Sequence, residues 1–496
     1  AENPSAENPS AENPSAENPS AENPSAENPS AENPSAENPS AEDSTAENPS
    51  AENPSAENPS AEDSTAENPS AENPSAVDPY YYLDAVNGDD GNSGTSAEPW
   101  KTLSKAQSTL EPGDTVLLRT GDYGPFVEVG DEYTGDITAL LPDDTLWITY
   151  EAEDGSTPTF TDTDGTHAVD LGNTGATYYH LGLKFDGINM EGKLRVLSAI
   201  GLRVNNCTNV GNNANIEITK GGLILGLSGD RVGDIIIEDC TIHRSEADGI
   251  RIAGYNVTIK DNEVYDVGAD HIITSGFDDT LIEGNYLHDT NRWDPSAHPD
   301  AIQLWSGPFN RITIRNNIIH DMAVQGVFCS GSPTLISNFV FENNLIYNIG
   351  TTALSIGQAT NVIIRHNTIL DGVKIGSTSG IDVYNNLFLG TYYYLNNTDM
   401  LNYHDYNIAI NGAGGAGWAN LAPLEDNSIV HSGDDYDIAE IYCTDPRNED
   451  FTLKDGSAAI GFSYPNPSYY YPTDDIRYYS RDDDPDAGAY EHGATP

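Results

Sequence analysis

The chain has 496 residues and carries 79 acidic against 21 basic side chains, a net charge of −58. A field this negative repels phosphate backbones and anionic bilayers, which excludes nucleic acid and membrane surfaces as expected partners. Four cysteines without a CxxC pair exclude a disulfide scaffold and a zinc finger, and no apolar run reaches the ~18 residues of a membrane span.

Residues 1–75 are fifteen pentapeptides, thirteen of Ala-Glu-Asn-Pro-Ser and two of Ala-Glu-Asp-Ser-Thr, the latter at 41–45 and 61–65. They hold fifteen Glu, two Asp and no basic residue, so −41 of the charge remains on the rest of the chain. Proline every five residues removes helix donors and clashes with the preceding turn. A pentapeptide solenoid would need Leu or Phe at the centre of each unit, where this tract has Asn or Asp. What remains is an extended, polyproline II-like strand or plain disorder, which low hydrophobicity and uniform charge also favour. With about three residues per turn, a five-residue period rotates equivalent side chains by roughly 120°, so successive Ser residues face three directions.

The variant units are informative because of what they keep. A hydroxyl stays at position five, and Pro gives way to Ser at position four. Ser/Thr with Pro is the composition of O-glycosylated stalks. The expected sugar sites are therefore Pro4, Ser5, Pro9 and Ser10 in the common unit (the prolines after hydroxylation), and Ser44, Thr45, Ser64 and Thr65 in the variants. This tract resembles the short-period repeat proteins of glycan-coated extracellular fibrils. That resemblance implies covalent glycans and further copies of the chain in a filament as partners.

After a linker at 76–79, residues 80–126 read as the start of a folded region. Trp100, Leu103, Ala106 and Leu110 fall at helical spacing, and Pro112-Gly113-Asp114 then turns the chain into the strand Thr115–Leu118. From 127 to 444, short β-branched runs recur: Ile235–Ile237, Val257–Ile259, Ile312–Ile314, Val362–Ile364 and Ile381–Val383. Along the same stretch Asn recurs at 262, 285, 317, 344, 367 and 386, at intervals of 19 to 32 residues. One coil of a parallel β-helix takes a period in this range. Stacked Asn side chains inside such a turn can bond to one another as a ladder. Cys207 and Cys240 fall at the same register and are expected as buried fillers. The last segment, 445–496, contains "FTLKDGSAAIGFS" and "DPDAGAYEHG".

The opening at Tyr80–Phe126 and these two C-terminal stretches resemble secreted right-handed parallel β-helix proteins of the pectate-lyase-like superfamily. The expected fold class is thus all-β, a right-handed parallel β-helix with an N-terminal capping helix, preceded by an extended tract.

Aligning coils on the Asn row stacks a second row: Asp248, Asp270 and Asp300. Parallel strands lie ~4.8 Å apart, so these carboxylates would raise one another's pKa or share a cation, for which Ca²⁺ is the expectation. His271 and His298 are the bases expected nearby. Trp293, Trp305 and Arg292 are the expected sugar contacts, with Trp293 and Arg292 on the insertion that would wall a groove. The competing reading is that such an Asp merely caps a turn.

Two functions follow. The first is a structural subunit of an extracellular glycosylated fibril or stalk, leaning against catalysis. The alternative is a secreted polysaccharide lyase or hydrolase, or a non-catalytic carbohydrate-binding adhesin, with the tract as spacer. A lyase would act on an acidic polysaccharide. Both place the chain outside the cell. Ala1 stands in phase with the repeat, as expected of a mature secreted chain or of a piece of a longer tract.

Overall fold

The computed structural model describes residues 79–495 apart from short stretches, the longest being 133–145, 219–232 and 411–425. The chain divides into two units, Ala1–Glu72 and Asn73–Pro496. The first unit and every expected sugar site in it lie outside the described residues.

In the second unit, alternation of apolar and polar residues over short β-branched runs produces strands with one buried face. These strands form fourteen-, thirteen- and eleven-stranded sheets, here called A, B and C. Among the described residues, successive members of these sheets pair in parallel, one coil to the next, and only Asp131–Glu132, off that path in sheet A, pairs antiparallel with Tyr178–Asp186. In sheet A one inward row runs Phe185, Val204, Ile237, Ile259, Ile282, Ile314, Phe341, Ile364 and Val383, all buried. Burying each such side chain contributes about 1.5–3 kcal/mol. Sheets B and C supply Ile242, Val264 and Leu287, and Ile250, Ile272 and Ile302, to the same core.

The Asn row is a continuous internal ladder. Asn317 Nδ2 donates to Asn344 Oδ1 at 3.0 Å, Asn344 to Asn367 at 3.1 Å and Asn367 to Asn386 at 3.0 Å. It starts where Cys240 N donates to Asn262 Oδ1 and runs past the six expected residues to Asn407, which bonds Ser428 Oγ. Cys207 and Cys240 are buried free thiols at its beginning, as expected of fillers.

The corner residue just before each ladder position is left-handed: Asn316, Asn343, His366 and Asn385 have φ of 53 to 59°. In one coil this corner is Gly284, where an added Cβ would sit 2.0 Å from Asp261 Oδ1. The C-terminal segment runs beside these corners. Asn316 Nδ2 and Asn343 Nδ2 donate to the carbonyls of Asp475 and Asp474, and Gly488 N donates to Asn385 O. Within the expected cap, a helix of five residues forms at Leu103–Gln107, with Trp100, Leu103, Ala106 and Leu110 buried in the main core.

Candidate functional site

The three aspartates do stack. Ile250, Ile272 and Ile302 are in register in sheet C, and Asp248, Asp270 and Asp300 each stand two residues before one of them. Two residues is one strand repeat, so the carboxyls lie on the same side of the chain as the core isoleucines. They are accordingly buried, at 3%, 6% and 0% exposure. The next members of the row are Gln325 and Thr352.

Their oxygens are largely used within the row. Asp248 Oδ1 accepts from Asp270 N at 3.3 Å, and Asp270 Oδ1 accepts from Asp300 N at 2.8 Å. Arg251 closes the lower end, with Nε donating to Asp248 Oδ2 at 2.8 Å. Gln303 Nε2 donates to Asp300 Oδ2 at 3.0 Å. Only Asp300 Oδ1 among these atoms is buried without a hydrogen-bond partner. Nδ1 of His298 lies 3.3 Å from it, close enough for an ion pair though off the hydrogen-bond line.

Burial, then the neighbouring charge of Asp248, raises the Asp270 carboxyl to about 7. Burial and Asp270 raise Asp300 to about 8. Both carboxyls thus hold or share a proton near neutrality. Calcium takes six to eight oxygens, mostly from ionised carboxylates and carbonyls. With Oδ1 of Asp248 and Asp270 committed to backbone N–H groups and Oδ2 of Asp248 to Arg251, this column does not fit the expected calcium ion.

His271 occupies a row otherwise filled by Gly249, Ala301, Gly326 and Ala353, where room is short: a Cβ on Gly326 would meet Ala353 O at 2.4 Å. It is wholly buried, its Nε2 bonds the carbonyl of His288 at 2.8 Å, and burial lowers its pKa to about 4. His271 is therefore a neutral core imidazole rather than a base open to substrate. His298, by contrast, has a side chain 56% exposed.

Trp305 ends the strand Asp300–Trp305 on the outward side with Gln303, and it is 49% exposed. Phe328 is the partner of Gln303 in the next strand, and its ring centroid is 6.0 Å from that of His298. Phe328 carried no sequence signal, because one aromatic in "QGVFCS" looks like core until the register turns it outward. Arg292 and Trp293 lie outside the described residues. Among the described residues, no helix is long and apolar enough to cross a membrane.

A family profile described as a right handed beta helix region matches residues 198–369. The described domain is of that kind, a right-handed parallel β-helix. Over 57 residues the chain is 47% identical to a lacto-N-biosidase of Bifidobacterium longum subsp. longum, a stretch that covers 11% of this chain and 3% of that protein. The solved structure of XylC with xylose is similar at a TM-score of 0.48 and 12% identity, over 83% of this chain and 98% of the other. Pectate lyase Pel9A gives 0.48 and 15%, over 83% and 96%.

Proposed function

We propose that the β-helix domain is a secreted carbohydrate-active enzyme, which binds a glycan along the outward face of sheet C and cleaves it by proton transfer through His298. The observation that carries this reading is the pair formed by a wholly buried carboxyl, Asp300, and an exposed imidazole, His298. A buried carboxyl 3.3 Å from an imidazole nitrogen fixes the orientation of the ring, while the exposed edge meets substrate. Gln303 and Phe328 flank the pair, and Trp305 stands further along the same strand, which together give hydrogen-bonding and ring surface, the composition of a sugar site. The local likeness to a lacto-N-biosidase supports a glycan as ligand.

Elimination from a uronate is the chemistry this pair suits. His298 takes the proton from the carbon beside the uronate carboxyl. The electron pair left behind forms a carbon–carbon double bond, and the bond to the departing sugar oxygen breaks. Arg251 is held by Asp248, and Lys374, outward and exposed on the same sheet, is a cation open to the uronate carboxylate. Asp300 acts as a positioning residue. The test is incubation with a panel of uronate polymers and neutral oligosaccharides, with ultraviolet absorbance read for unsaturated ends and reducing sugar read for hydrolysis. Turnover lost in His298→Ala supports the reading. No turnover of any member by the native chain overturns it and leaves an adhesin, a reading favoured by the closed column of Asp248, Asp270 and Asp300.

The repeat tract enters this proposal as an O-glycosylated stalk that holds the domain away from its anchorage, and the fibril reading extends the same idea to many copies. Its support is the exchange of Asn-Pro-Ser for Asp-Ser-Thr. Intact mass of the secreted chain tests it: hexose-sized steps are expected, and a bare peptide mass discards it.

A further inference from the structure

A second cluster of ligating side chains lies on the outward face of sheet B, away from the aspartate column. Five rings stack there across successive coils: His243, Tyr265, His288, His320 and Tyr347. Neighbouring centroids are 4.8 to 5.3 Å apart and the planes lie within 6° of parallel. The stack fixes each imidazole in its plane, so that only ring edges, with their nitrogens, face other groups. His320 is held between His288 and Tyr347, and its Nε2 edge is bound to Tyr286 Oη at 2.8 Å. Its Nδ1 edge faces Asp321 Oδ2 at 2.9 Å.

Glu449 completes the group. It follows the short turn Pro446–Asn448 in the C-terminal segment and is held there at φ 65°. One ligand atom from each of His320, Asp321 and Glu449 lies within 4.8 Å of the others. His288 makes a similar pair with Asp289 at 2.9 Å, but its second carboxylate, Glu263, sits on the opposite ring nitrogen. At His320 the two carboxylates converge. A divalent cation placed among the three would meet one ligand atom of each.

Four carboxylates, Glu263, Asp289, Asp321 and Glu449, lie against the rings of His288 and His320 at this place. Beside the group a pocket lined by Tyr347, Asn348, Tyr436, Pro446, Arg447 and Glu449 leaves room for bound water.

We propose that His320, Asp321 and Glu449 bind one zinc-class divalent cation, with water in the remaining position, and that the ion ties the C-terminal segment to sheet B. One imidazole nitrogen with carboxylate oxygens is a ligand set of that class. Tyr286, bound to the far ring nitrogen, is the outer partner that orients the imidazole. The ion bridges residues 128 apart in sequence, so it resists peeling of the segment that carries Phe451, whose ring packs 4.8 Å from that of Tyr347.

The full chain, stripped with a chelator, is titrated with CoCl₂ while visible d–d absorption and melting temperature are read. Because so acidic a protein binds cations loosely elsewhere, Glu449→Gln and Asp321→Asn are run beside the native chain; both are open to solvent and each keeps the shape of the side chain. The expected result is one saturating equivalent with imidazole-type absorption, displaced by zinc, and a raised melting temperature. Each variant should bind cobalt about tenfold more weakly or worse and lose the rise in melting temperature. No saturable absorption, or the same isotherm in native chain and variants, overturns the proposal.

Discussion

His298 Nδ1 lies 3.3 Å from Asp300 Oδ1, although the His298 side chain is 56% exposed and the Asp300 side chain is wholly buried. The pair joins a group that water cannot reach to one that it can. That asymmetry separates the stability role of Asp300 from its proposed role in chemistry.

The first prediction uses that separation. The folded pKa of Asp300, about 8, lies above the ordinary carboxylate value. The unfolded chain therefore releases this proton as pH rises past ~4, while the folded chain keeps it, so folding loses stability between pH 4 and 8. Asp300→Asn removes the cost without changing shape. It should leave stability unchanged near pH 4 and raise it by a few kcal/mol near pH 8, read from urea unfolding at each pH. The same variant should lower glycan cleavage, because the amide places a donor or a turned oxygen where the carboxyl meets His298 and so changes the orientation of the ring. A variant that is less stable at both pH values would show that the carboxylate itself holds the coil together.

A second prediction concerns the ladder. Asn344 Nδ2 donates to Ile314 O, Glu342 O and Asn367 Oδ1, and its Oδ1 accepts from Asn317 N and Nδ2. Asn344→Ala strips these partners from wholly buried groups, each worth about 1–3 kcal/mol when left unsatisfied. A loss of roughly 3–5 kcal/mol is expected in denaturant unfolding, after allowing for relaxation. Ser428, which ends the row and has one neighbour in it, should cost much less on change to Ala.

How much of this was legible follows from what the sequence repeats. Asn317, Asn344 and Asn367 recur after short apolar runs, and a recurring residue at a coil period has one physical explanation, a stacked turn. Asn407 was missed because "LNYHDYN" lacks the short apolar run that precedes the other ladder residues. Asp248, Asp270 and Asp300 were found by the same alignment. What spacing did not tell was their facing: lying two residues before core isoleucines puts them inside, and that depends on counting strand parity from the right residue. His271 was read as a base for the same reason. The site of His320, Asp321 and Glu449 had no sequence signal, since Glu449 comes from a segment that only the docking of the C-terminus brings near sheet B.

A third prediction tests that docking. Arg481 and Glu491 form an ion pair of 3.0 Å with side chains 2% and 3% exposed. Arg481 also donates to Asn343 Oδ1 at 3.0 Å and to Gly488 O at 2.9 Å, which binds the segment to the ladder corner. Arg481→Met leaves Glu491 buried without its cation, a change that costs about 3–5 kcal/mol in comparable pairs. Limited proteolysis should then cut between 454 and 496 well before the coils are attacked. Restoring neutrality with Glu491→Gln should recover part of the loss, and a double-mutant cycle measures the coupling. Equal protease resistance in native and variant chains would show that apolar contacts alone hold the segment.

The fourth prediction returns to the outward face of sheet C. Trp305 is 49% exposed at the end of the strand that begins with Asp300, and a large ring half in water takes little part in the core. If it is the platform for a sugar ring, Trp305→Ala should leave the melting temperature within a degree or two, because little buried area is lost. Binding of the glycan that the native chain turns over should weaken by about tenfold to thirtyfold, the 1.4–2 kcal/mol that a ring contact of this kind supplies. Tryptophan fluorescence of the native chain should shift on adding that glycan, and the shift should vanish in the variant. An unchanged affinity would move the sugar path off Trp305, toward Phe328 and the strands beyond it.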